Sequence, residues 1–394
     1  MLLASPFFIN AQQTEVLDVE KISGTIHLLP ETESVEGKLQ VKFKVLQATD
    51  SIYLDAVKMN AEIIKKSSSK PKLFSAEKKI YFIDQFEVGK TYEVEFSYQA
   101  RPKQTLYFVG WDNDGSNQIW SQGQGKYTSH WLPSLDDMND KIEFDLSYQV
   151  PQDYEVAANG KLVNKEKKGK EQLWHFDMQH PMSSYLVAVA VGKFEAKEIT
   201  STSGIPIKLY YEAQDEEKVA WTYKHSKKIF DFFEEEIGVA YPWQNYKQIP
   251  VRDFLYAGME NTTATIFSDM FMVDQIGFID RNYVNVNAHE LAHQWFGDLV
   301  TEKSGTHHWL QEGFATYYAL LAEREIFGED YFYFKLYQNA EKLKELSDTG
   351  KGEALKNAKA SSLTFYQKGA WALHILREKV GDEAFKSGVK NYLN

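Results

Sequence analysis

Cysteine is absent from all 394 residues, which excludes disulfides and thiolate-bound metal sites and leaves no thiol from which to read a redox compartment. Any long basic run is missing as well, and the formal net charge is −12 at pH 7. Nucleic acid is therefore disfavoured as a partner, whereas an acidic field weakly favours cationic ligands such as free amines. No stretch is long and apolar enough to span a bilayer, so no integral membrane segment is expected. Self-similarity at a period of about 20–50 residues is not evident, which argues against repeat arrays.

What is present is enough chain for two to three domains with ample core. Aromatic residues make up 14%, sufficient to support large cores and an aromatic-lined cleft. Residues 1–11 are apolar before the chain turns polar, and Ala11 is a small residue at a cleavage-like position. They are expected to be the remnant of a secretory signal, implying a periplasmic or secreted protein, with a cytoplasmic one as the alternative.

The first half alternates apolar and polar residues. Leu39, Val41, Phe43 and Val45 fall on one face, and residues 91–98 and 141–148 repeat the pattern, which predicts half-buried strands in antiparallel sheets. Charged or turn-rich clusters at 65–72, 112–116 and 165–170 read as solvated loops between them. After about residue 212 the period changes to that of helices, expected over 218–237, 282–301, 309–327, 331–346 and 363–380, with a strand-like segment at 248–256. The expected class is multidomain α+β: a β-rich domain over 12–203, then an α+β domain over 204–394 that holds every chemical motif.

The strongest of those motifs is His289-Glu290-Leu291-Ala292-His293, followed by Glu312-Gly313. On a helix, His289 and His293 lie one turn apart and aim two imidazoles at one point. Glu290 sits beside the first of them, placed to act as a general base. A carboxylate near the start of the next helix supplies a third ligand, and zinc held by two His and one Glu keeps a fourth position open for water. As a bare five-residue string it is a moderate signal. His307 and His308 read as loop or supporting groups, because the ligand set is already complete.

Ala257-Gly258-Met259-Glu260-Asn261, then the histidine string with Glu312, then Tyr366-Gln367-Lys368-Gly369, stand in the motif order of the zinc aminopeptidases. From roughly residue 20 onward the chain resembles that family, the gluzincins that include aminopeptidase N and leukotriene hydrolase. The resemblance implies a saddle-like N-terminal antiparallel β-sheet domain and a thermolysin-like zinc metallopeptidase domain. It implies one zinc ion per chain on His289, His293 and Glu312, with Glu290 passing the water proton to the leaving amine and Tyr366 donating to the oxyanion. Glu260 would bind the substrate's free α-amine, making the enzyme an exopeptidase on peptides with a free N-terminus. Gly258, Met259 and Asn261 would flank it along the bound backbone. Gln122 and Gln124 resemble a family segment that reaches the cleft, and Trp131 to Asp136 resemble the family's next stretch. Without the resemblance, residues 258–261 read as a turn after a strand, Tyr366 as a buried aromatic at a helix start, and Gln122 and Gln124 as a surface loop.

The chain departs from the family pattern in places. Ser129 and His130 stand where an Arg is usual, Asp137-Met138 replaces a proline after Asp136, and Gln311 replaces a frequent Asn. Ala358 and Ser361 stand where the leukotriene hydrolase branch carries an Asp and a Tyr, which argues against epoxide hydrolysis. The ending at Asn394 implies an incomplete catalytic domain, with Trp371, Leu373 and Leu376 partly exposed and a weakly stable or self-associating chain.

Overall fold

A computed structural model describes residues 13–64, 71–111 and 117–394. The segment expected to be a signal remnant, the loop at 112–116 and most of the one at 65–72 lie outside the described residues.

The N-terminal half is built on one large sheet. Its strands run Lys161–Lys168, Glu171–Asp177, Lys141–Pro151, Leu17–Leu29, Ser34–Val45, Thr91–Ala100 and Asn60–Ile63 in spatial order. Strand Ser34–Val45 buries Leu39, Val41, Phe43 and Val45 while its intervening lysines and glutamine stay outside, as the period-two pattern requires. Two expectations need correction. The sheet is mixed, because Leu17–Leu29 and Lys141–Pro151 pair in parallel. More than a hundred residues separate them, ample for the crossover that parallel strands need. Residues 165–168 are also not a loop but part of the outermost strand, and only Gly169 and Lys170 turn. Among the described residues its outer edge has no strand partner, and almost every side chain is solvated, so it shows no apolar alternation; lysines there also discourage edge-to-edge pairing.

The second half opens with a five-stranded sheet ordered Phe194–Thr200, Pro206–Glu212, Tyr246–Val251, Ala264–Ser268 and Gly258–Met259. The first two of these strands pair with each other, so hydrogen bonds run across the expected division at 203/204. Strands Tyr246–Val251 and Ala264–Ser268 are parallel and buried throughout, covered on both faces. Gly258–Met259 pairs antiparallel with the latter and is the last strand of the sheet.

The helices come next, with local differences. The expected 218–237 helix is two, Glu216–Thr222 and Ser226–Ile237, broken where the Tyr223 hydroxyl reaches back to the Tyr210 carbonyl at 2.6 Å. Helix Val284–His293 stops well short of 301, because Gly297 takes φ +140° and Phe296 bridges to Val300. Trp309–Phe327 and Glu329–Asp348 form as long helices, and Asp382–Leu393, which was not anticipated, buries Phe385, Val389 and Leu393 at helical spacing. Of the three residues expected to be exposed near the end, Leu373 is buried, Trp371 is half-buried and Leu376 is 48% exposed.

Candidate active site

Helix Val284–His293 presents His289 and His293 one turn apart, and helix Trp309–Phe327 brings Glu312 against them. The two imidazole Nε2 atoms are 3.1 Å apart, and Glu312 Oε2 lies 3.3 Å from His289 Nε2 and 3.4 Å from His293 Nε2. A tetrahedral zinc with ligand bonds of 2.0–2.1 Å needs its donors about 3.3 Å apart, so this triangle fits the ion. The donor chemistry agrees. His293 Nδ1 donates to the Phe296 carbonyl at 3.0 Å, leaving its Nε2 lone pair facing Glu312. Two facing ring nitrogens beside a buried carboxylate suit a cation among them, a metal ion or, without one, a proton. Burial opposes charge on His293, but Glu260, Glu312 and Glu290 outweigh it and push its pKa well up; burial pulls that of His289 down. Burial disfavours charge on Glu312 too, yet His293 and His289 hold its carboxyl well below the usual range. Its second oxygen faces His308 Nε2 at 3.4 Å, while His308 Nδ1 contacts Glu302 at 3.1 Å. His308 therefore braces Glu312, whereas the His307 ring faces the Ser304 hydroxyl at 3.3 Å.

Glu290 turns toward the edge strand. A Cβ on Gly258 would fall 2.5 Å from Glu290 Oε1, so only glycine leaves room for this carboxylate. Burial, opposed by His293 but reinforced by Glu260 and Glu312, pushes the Glu290 pKa well up. Glu260 is 3% exposed, and donor atoms of Glu260, Glu290 and His293 lie within 4.8 Å of one another. Its backbone is clamped by Gln294, which follows the second histidine. Gln294 Nε2 donates to the Glu260 carbonyl at 3.0 Å, and its Oε1 accepts from Thr263 N–H at 2.9 Å.

Tyr366 arrives on an unusually wide turn. Residues Thr364–Lys368 form a π-helical segment leading into helix Gly369–Val380, a rare geometry that concentrates at functional sites. The Tyr366 ring lies parallel to the His289 imidazole, 9° between planes and 5.5 Å between centroids. Burial and the carboxylates of Glu312, Glu260 and Glu290 push its pKa up, so the phenol keeps its proton. Two glycines set its approach. A Cβ on Gly369 would lie 2.7 Å from the Gly313 Cα, and one on Gly313 would lie 2.9 Å from the Gly369 Cα. The ligand helix and the tyrosine segment thus meet backbone to backbone, one residue after Glu312.

A cavity of about 360 Å³ is lined by Gln124, Gly258, Glu260, Glu290, Tyr366 and the three metal-facing residues. A second, of about 530 Å³, shares Gln124, Glu260 and Tyr366 with it and extends past Asp136, Tyr185 and Phe365. The polar hollow around His27, Glu36 and Gln149 on the N-terminal sheet holds none of these groups. Of the residues expected beside the substrate, Gln122, Met259 and Asn261 are buried behind the wall. Gln122 Oε1 accepts from the Gln124 N–H at 2.7 Å and its Nε2 lies 3.4 Å from Met259 Sδ, while Asn261 Nδ2 donates to the Leu186 carbonyl at 3.2 Å. Tyr185, Gln294 and Gly369 were not anticipated as site residues; Gln294, adjacent to His293, and Gly369, within the tyrosine motif, carry local signals, and Tyr185 carries none.

Two family models match in tandem: the Peptidase M1 N-terminal domain over residues 21–186 and the Peptidase family M1 domain over 221–394. The chain belongs to peptidase family M1. Among curated proteins, this M1 chain is 29% identical over 374 residues to "Probable aminopeptidase 1" of Sulfurisphaera tokodaii, covering 92% of itself and 47% of that protein. It is 28% identical over 366 residues to "Leucyl aminopeptidase" of Saccharolobus solfataricus, covering 89% and 46%. It spans about half the length of these relatives. Among solved structures, the M1 zinc metallopeptidase of Deinococcus radiodurans superposes with a TM-score of 0.79 at 23% identity, covering 96% of this chain and 86% of that one. That likeness supports the fold: an N-terminal β-sheet domain followed by a mainly helical catalytic part.

Proposed function

We propose that this M1 chain carries a zinc-dependent aminopeptidase site that removes the N-terminal residue from peptides, with one zinc ion held by His289, His293 and Glu312. The observation that supports it most is the pairing of that donor triangle with the buried carboxylate of Glu260 in the lining of one cavity. When bound, zinc supplies a Lewis acid for the scissile carbonyl and lowers the pKa of a water. Glu290 accepts the proton of the attacking water and returns it to the departing amine, a cycle that suits a carboxyl of raised pKa. Tyr366, which keeps its proton, donates its O–H to the developing oxyanion. The free edge of Gly258–Met259 offers backbone hydrogen bonds to an extended peptide, and Glu260 pairs with the substrate ammonium at the end of that edge. A carboxylate there admits one residue before the scissile bond, which separates this reading from an endopeptidase.

Hydrolysis of aminoacyl 4-nitroanilides with free and N-acetylated amines, together with metal analysis, tests the proposal. Free-amine substrates should turn over in a zinc-dependent way and acetylated ones should not. Equal rates on both would refute the exopeptidase reading, and metal-independent turnover would refute the zinc reading.

A further inference from the structure

The phenol of Tyr185 reaches the site from outside the His289, His293 and Glu312 triangle. It comes from the N-terminal domain, on the short turn Ser184–Leu186, and is 7% exposed. Its hydroxyl lies 3.2 Å from Gln311 Nε2 and 3.5 Å from Glu260 Oε1. The orientation of the Gln311 amide sets the direction of both contacts. Gln311 Oε1 accepts from the Glu302 backbone N–H at 2.8 Å, which fixes the amide with its NH2 toward Tyr185. An NH2 can only donate, so the Tyr185 oxygen is the acceptor there and its own proton remains to be given. Glu260 Oε1 takes it. Burial pushes the Tyr185 pKa well up, so that proton is held through the neutral range. At 3.5 Å the contact is long for an O–H···O bond and therefore weak, and a hydroxyl that keeps its proton leaves the carboxylate its charge.

The turn that carries Tyr185 is itself pinned. Thr128 Oγ1 donates to the Ser184 carbonyl at 2.9 Å, and the Leu186 carbonyl accepts from Asn159 at 3.0 Å and from Asn261 at 3.2 Å. Asn159 also donates to the Thr262 carbonyl at 2.7 Å. The phenol is therefore fixed to the segment containing Glu260 from both sides of the domain boundary.

We infer that Tyr185, held by Gln311, is a positioning residue that aims the Glu260 carboxylate at the substrate's α-amine. The N-terminal domain then does more than cover the cleft. It supplies the hydroxyl that sets which way the amine-binding group faces, through a line running from Glu302 and Gln311, next to the ligand Glu312, to Glu260. This deepens the aminopeptidase reading and rests on it.

Tyr185→Phe removes one oxygen and leaves the ring in place. Its KM for a leucyl 4-nitroanilide should rise about 5–20-fold with kcat within about 3-fold and zinc content unchanged. Leucine hydroxamate and its deaminated analogue, 4-methylpentanoyl hydroxamate, isolate the cause. The variant should lose the same factor from the affinity advantage of the amine-bearing inhibitor while the deaminated one binds as before. An unchanged advantage overturns the inference, as does a parallel weakening of both inhibitors, which would mark Tyr185 as packing only. A wild-type protein that gains nothing from the amine would instead overturn the role of Glu260, and the inference with it.

Discussion

The two walls of the cavity are assembled in opposite ways. The metal wall takes His289, Glu290, His293 and Glu312 from two consecutive helices, so its geometry follows from helical spacing and one helix crossing. The amine wall takes Gln124 and Tyr185 from the N-terminal domain, Glu260 from the end of an edge strand, and Gln311 from beside the third ligand. No local period joins them, and their relative positions depend on how the domains dock. The contrast separates two tasks. On the proposed reading, the chemistry would sit on a locally encoded unit, and recognition of the substrate's end on contacts between residues far apart in the chain.

That contrast can be broken most severely from the metal side. His293→Ala should abolish stoichiometric zinc and lower anilide hydrolysis at least ~10³-fold; retention of metal with near-normal turnover would remove this histidine from the ligand set. Glu290→Gln should keep zinc yet lower kcat by about 10²–10⁴-fold, and a variant with intact kcat would exclude the general-base role. On the amine wall the effect should be smaller and of another kind. Glu260→Gln should raise KM for free-amine substrates about 10–100-fold and shrink the difference between free and acetylated ones; a loss confined to kcat would place Glu260 in the chemistry instead. Gly369→Ala should have the mildest effect, costing about 1–3 kcal/mol of stability through overpacking against Gly313. Thermal melting reads that cost, and an unchanged melting temperature would mean that the helices can part without penalty.

The same contrast explains how much was legible beforehand. The histidine string keeps the one-turn spacing of a helix and the N-terminal strands a period of two, whereas helix Trp309–Phe327 is buried almost all round and shows itself by its apolar length rather than by a one-sided stripe. Glu260 was legible only through the resemblance, since residues 258–261 look like any turn after a strand. Tyr185 was not legible, because it stands in an ordinary apolar run and its role comes from Gln311, 126 positions away. Helix Asp382–Leu393 was overlooked although Phe385, Val389 and Leu393 keep the period. The strand at 161–168 was misread because a solvated edge carries no apolar alternation.

The bare crossing of Gly313 and Gly369 has a mechanical consequence. With no side chain between them, the helix carrying Glu312 and the segment carrying Tyr366 have no side-chain layer to compress. If the cleft widens to admit a peptide or release its first residue, the turn of Tyr185 and the segment of Glu260 would move together, since Asn159 and Asn261 tie them into one piece. On the proposed reading, loading and discharge would then disturb Glu260 while leaving His289, His293 and Glu312 in register for the next cycle.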